Sequence, residues 1–82
     1  MQNFLNPFNP TTNISFSIPQ RSNVKLVVYD VLGKEVKILA NSVYETGKYE
    51  ITFDASNLPS GVYFYNLTTA QGTISKKMLL VK

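Results

Sequence analysis

Five carboxylates, Asp30, Glu35, Glu45, Glu50 and Asp54, hold most of the acid–base chemistry this sequence could perform at neutral pH. The chain has no histidine and no cysteine, so the commonest general base, the commonest soft metal ligand and the thiol nucleophile are all missing. Two carboxylates flanking a bond suffice for glycoside hydrolysis, yet these are scattered among expected strands and turns at no pairing interval. Neither a glycine-rich phosphate loop nor a calcium-loop spacing occurs. The residue types therefore imply no catalytic site, no metal and no cofactor. Tyr63, Phe64 and Tyr65 offer a different chemistry, a stacking platform for sugars or bases. On a strand, however, Phe64 faces away from its two neighbours, so the three rings cannot share one surface and core packing is the simpler reading.

What remains is chemistry of recognition. The terminal run Lys76, Lys77, Met78, Leu79, Leu80, Val81 and Lys82 supports two readings. It is an ordinary last strand, with Met78 and Leu80 buried and the lysines guarding a sheet edge. Equally, it is a docking strand with a terminal carboxylate beside it, adding to a partner's sheet or held in a backbone nest. The turns Asp30–Gly33 and Leu58-Pro59-Ser60-Gly61 could be recognition loops, but their residues first satisfy turn geometry: aspartate bonds its own backbone, proline presets φ and glycine accepts positive φ. Asn6-Pro7-Phe8-Asn9-Pro10 reads as a stiff lead-in in which each proline extends the asparagine before it. It is either a junction that a partner reads or a rigid cap whose Phe8 plugs one end of the domain, and the cap is the simpler expectation.

The elements that must position these residues are strands. Ile14, Phe16 and Ile18 alternate with Ser15 and Ser17, the period of a half-buried strand ended by Pro19. Val24–Tyr29 and Glu35–Leu39 form a hairpin around Asp30–Gly33. Asn41–Lys48 reads as a polar loop. Tyr49–Phe53 is a fourth strand, Val62–Leu67 a fifth, apolar on both faces and hence central, and Thr73–Val81 a last one after a turn at Thr69–Gly72. Six to seven short strands with turn punctuation and no helical periodicity predict an all-β, immunoglobulin-like sandwich of two antiparallel sheets. Residues 1–12 are expected to form an Asn/Pro-rich linker and residues 13–82 the sandwich.

Composition sets the outer bounds. A chain of 82 residues suits a single domain with one thin core. The net charge is +3, and the basic excess sits at the end, because Lys76, Lys77 and Lys82 follow Asp54 with no acid among them. Three lysines do not make a phosphate-tracking groove, so nucleic acid is not an expected partner. No apolar run approaches the roughly 20 residues of a membrane helix, and Met1–Phe4 lacks the character of a signal peptide. If the domain leaves the cytoplasm, the export signal is expected elsewhere in a longer parent.

Four blocks in order, Asn6–Thr12, Val28–Val36, Phe53–Tyr65 and Lys76–Lys82, resemble the type A C-terminal sorting domain of type IX secretion, a system of the Bacteroidetes and related phyla. The resemblance spans nearly the whole chain. One departure stands at Leu5, where the family often has proline; it touches the linker junction only. The resemblance implies a module at the end of a secreted cargo protein, carried to the periplasm by the parent's own signal. There it would be met by an outer-membrane translocon and a shuttle protein. A cell-surface sortase-type protease would then remove it, cutting before or near residues 3–10, and leave the N-terminal cargo domain at the cell surface or outside the cell. By that resemblance Lys76–Lys82 are translocon-recognition positions, and the turn Leu58–Gly61 is a recognition or structural signature. The competing expectation is an immunoglobulin-like or fibronectin-like surface module that binds carbohydrate or protein, for which an exposed aromatic platform or concave pocket would be diagnostic.

Overall fold

A computed structural model describes residues 11–81 and the backbone of Pro7 and Phe8. Its elements are β1 (Pro7–Phe8), β2 (Thr11–Ile18), β3 (Ser22–Tyr29), β4 (Glu35–Tyr44), β5 (Gly47–Asp54), β6 (Gly61–Thr69) and β7 (Gly72–Leu80). They form a five-stranded sheet in the order β1-β7-β6-β3-β4 and a two-stranded sheet, β2-β5. The all-β sandwich expected from the alternation is thus the observed fold, and β6 is indeed the central strand of the large sheet. Every described pair is antiparallel except β1 with β7, where Pro7 and Phe8 lie beside Leu79 and Leu80 in parallel.

The core lies between the sheets. Ile14, Phe16 and Ile18 of β2 and Phe53 of β5 face Val24, Leu26 and Val28 of β3, Tyr63, Tyr65 and Leu67 of β6, and Met78 and Leu80 of β7. Each set follows the two-residue period, which is why the solvent partners Ser15, Ser17 and Lys25 lie exposed between them. One end is closed by three rings: Phe16 stacks on Tyr49 at 5.6 Å, and Tyr44 meets Tyr49 edge-on at 4.8 Å. The Tyr49 hydroxyl donates to the Glu45 carbonyl at 2.7 Å, which fixes that cluster over the β4–β5 turn.

Residues 41–48 are not a loop. β4 runs on to Tyr44 and β5 starts at Gly47, leaving only a tight turn between them. The polar residues misled because β4 is an edge strand: Asn41–Tyr44 pair in unbroken register with Ser22–Lys25, yet Asn41, Ser42 and Val43 are all exposed. Such a stretch has no buried face to alternate against, and its backbone groups on the β3 side are satisfied by the neighbouring strand whatever the side chains.

Candidate functional site

The two signature turns are held by bonds that their sequences dictate. In Asp30–Gly33, the Asp30 carboxylate Oδ1 accepts from the Leu32 and Lys34 amides at 2.9 and 3.0 Å. The Gly33 amide donates to the Asp30 carbonyl at 3.0 Å, and Gly33 takes φ of 81°, a conformation costly for any residue with a Cβ. The turn so locked holds its apolar tips in solvent, Val31 at 63% and Leu32 at 88% exposure.

The second turn carries the chain from the small sheet to the large one. Asp54 Oδ1 accepts from the Ser56 amide at 2.9 Å, the Leu58 amide donates to the Ala55 carbonyl at 2.9 Å, and Gly61 opens β6 at φ 152°. Two residues on, the buried Tyr63 sends its hydroxyl back to the Pro59 carbonyl at 2.7 Å. This arrangement resembles the tyrosine corner of immunoglobulin-like sandwiches, where one ring both fills the core and staples the crossover. Tyr63→Phe keeps the ring and removes the staple, so it should lower unfolding free energy by about 0.5–1.5 kcal/mol, read from the urea midpoint at unchanged slope.

The same residues set the pH response. Burial, with the negative Asp30 nearby, raises the Tyr63 hydroxyl above its ordinary value, and burial raises Tyr65. The unfolded chain therefore loses these protons first. Stability contributed by the neutral phenols is complete below pH of about 10 and falls as pH rises beyond it. Asp54 runs the other way. The Ser56 backbone bond and then the Ser56 side chain, with a lesser help from the Lys37 charge, hold it below the ordinary carboxylate range against the opposing effect of burial. Its contribution is present above that range and is lost as pH falls through the folded value.

β7 divides the terminal block between two jobs. Met78 and Leu80 are fully buried opposite Tyr63 and Gly61 of β6. Lys76 and Val81 are exposed, while Lys77 and Leu79 are half-buried opposite Phe64 and Val62. Lys82 lies outside the described residues, as do Asn6, Asn9, Pro10 and the side chains of Pro7 and Phe8, so the expected Phe8 plug falls outside them too.

The fold gathers these separate stretches at one pole. Leu80 has Phe8 beside it on one edge and Gly61 on the other. Tyr63 is stapled to Pro59, and its neighbour Phe64 pairs with Tyr29 at the start of the Asp30–Gly33 turn. Blocks that are far apart in the chain thus meet where β1, β6 and β7 run together. The carboxylates, by contrast, are engaged separately: Asp30 and Asp54 in their turns, and Glu45 in an exposed ion pair with Arg21 at 2.8 Å. Among the described residues no three acidic groups cluster to hold a metal, and no helix is long and apolar enough to cross a membrane.

A family model described as the secretion system C-terminal sorting domain matches residues 4–82. The chain belongs to that family. No curated protein and no solved structure is significantly similar to it. The sorting domain is a signal of type IX secretion, a module that marks a larger cargo chain for secretion machinery and for export to the cell surface or the extracellular space. Its family is not one of enzymes.

One surface went unread in the sequence. Tyr29 and Phe64 lie directly opposite each other on β3 and β6, on the outer face of the large sheet. Tyr63 and Tyr65 are in the core, as their parity required, but Phe64 gains an aromatic neighbour from another strand. The signal was available: both rings fall on positions of the parity opposite to the buried ones, and pairing β3 with β6 brings them together.

Proposed function

We propose that the secretion machinery reads this sorting domain in its folded form, at the pole where β1, β6 and β7 meet. Lys76, Lys77, Leu79, Val81 and Lys82 supply the grip, and Met78 and Leu80 anchor the strand that carries them. An outer-membrane translocon and a shuttle protein take hold there after the cargo reaches the periplasm. Residues 1–12 act as the lead-in from the N-terminal cargo domain, with Pro7–Phe8 and Thr11–Thr12 already paired into the two sheets, residues 13–82 complete the sandwich, and a cell-surface sortase-type protease cuts before or near residues 3–10 once export is complete. The observation that carries this reading is the convergence of the four sequence blocks, with Leu80 between Phe8 and Gly61. Turn chemistry and core packing alone would not require Pro7–Phe8 and Leu79–Leu80 to share an edge.

A fusion to a periplasmic reporter in a type IX-competent strain tests it. The intact domain should send the reporter to the surface. Removing only Val81 and Lys82, which lie beyond the last paired residue Leu80, should leave a folded domain and trap the reporter inside. Reversing charge with Lys76→Glu and Lys77→Glu should reduce export without lowering the melting temperature by more than a few degrees. If the fusion lacking Val81–Lys82 is exported as well as the intact one, the terminal grip is wrong.

A further inference from the structure

The outer face of the large sheet carries a groove that neither the core nor the sorting signal accounts for. Its walls are the Asp30–Gly33 turn on one side and Asn66 and Ser75 of β6 and β7 on the other, with Tyr29 and Phe64 between them. It is an open depression of about 460 Å³. Val27, on the same face two residues before Tyr29, is buried although it lies outside the inter-sheet core. The outer face is thus built up by its own side chains into a relief, not left as a flat sheet.

We propose that this groove binds a neutral saccharide. Three observations select that class. Phe64 is 36% exposed and Tyr29 half-buried, side by side by register, which gives the C–H face of a pyranose two rings to lie against. The polar groups around them are already fixed. The Ser75 hydroxyl donates to Asn66 Oδ1 at 2.7 Å, which commits the amide oxygen and leaves the Asn66 amide nitrogen as the group's remaining donor. Both amide bonds to Asp30 fall on Oδ1, so Oδ2 stays available as an acceptor on a carboxylate that cannot swing away. A ligand with adjacent hydroxyls matches a fixed donor and a fixed acceptor beside an aromatic floor. A purely aliphatic ligand would strip water from those groups and leave them unpaired. An anion would meet Lys77 opposite Phe64, but also the Asp30 carboxylate fixed in the groove wall. An extended peptide draws its backbone bonds from a sheet edge, whereas this groove lies over the face of β3, β6 and β7, where the ladders already use the backbone.

The site is open and shallow, so the affinity should be millimolar. The test is a titration of the isotope-labelled chain, followed by amide chemical shifts. The probes are the methyl glycosides of glucose, galactose, mannose and N-acetylglucosamine, and maltotriose, each taken to tens of millimolar. At least one should shift the amides of Tyr29, Asp30, Phe64, Asn66 and Ser75 in a saturable way. Asn66→Ala, which leaves the core untouched, should weaken that binding at least tenfold with little change in melting temperature. Phe64→Ala should abolish it. The proposal is overturned if no probe shifts these residues, if the shifts lie elsewhere on the domain, or if Asn66→Ala binds as the parent does. It is likewise overturned if an apolar peptide occupies the groove while every saccharide fails. None of these outcomes bears on export, which the reporter fusion reads separately.

Discussion

Phe53→Ala should melt at least about 12 °C below the parent domain. Phe53 is fully buried on β5, in register with Thr12 of β2, and it is the largest of the fully buried side chains. Truncating a buried phenylalanine costs about 3–5 kcal/mol through lost burial and the cavity left behind. A chain of this size has a total stability on the order of 4–12 kcal/mol, and each kcal/mol shifts the melting point of a small domain by roughly 4–8 °C. The effect is aggravated by architecture. The small sheet has only two strands, and a two-stranded unit is marginal unless packed on something else. Its hold on the large sheet runs through Ile14, Phe16, Ile18 and Phe53. Thermal melts by circular dichroism would check the value, and a fall of less than about 5 °C would show that the site collapses around the missing ring.

The second large effect concerns the chain end. Deleting Met78–Lys82 should leave a domain that does not hold a cooperative fold, seen as lost near-ultraviolet dichroism and a missing unfolding transition. Met78 and Leu80 are both fully buried, and burying each is worth about 1.5–3 kcal/mol. The deletion also takes away the strand that β1 pairs with and the partners of Gly61, Val62 and Tyr63 on β6. Losses on this scale approach the whole stability of the domain. Deleting Val81–Lys82 alone touches none of those groups and should move the melting point by no more than a few degrees. The contrast decides how an export defect is read: failure of the longer deletion reports unfolding, while failure of the shorter one reports lost recognition.

Where one face of a strand is buried and the other wet, the sequence was readable. Ile14, Phe16 and Ile18, and again Val24, Leu26 and Val28, marked their strands and their inward faces, and Val62–Leu67 marked the centre by its apolar and aromatic residues of both parities, flanked by β7 and β3. The turns at Asp30–Gly33 and Leu58–Gly61 were readable because aspartate, proline and glycine each have a narrow set of uses there. The second half of β4, residues 41–44, was not, since an exposed edge strand answers to its neighbour's backbone and not to a pattern of its own. The pairing of Pro7–Phe8 with Leu79–Leu80 joins opposite ends of the chain, and no local periodicity reports a contact of that range. The outer groove escaped for a related reason: Tyr29 and Phe64 become neighbours only once strand order is known.

That first pairing has a mechanical side. β1 and β7 run in the same direction, side by side, at Pro7–Leu79 and Phe8–Leu80. Tension applied between the chain ahead of Pro7 and the chain behind Leu80 pulls the two strands along their length in opposite senses. The load then falls on the short pairing in shear and does not peel it open from one end. Yielding under such a pull is governed by the unfolding rate and not by equilibrium stability. The two-residue clasp is thus the first contact such a pull loads, ahead of the longer β6–β7 and β2–β5 ladders.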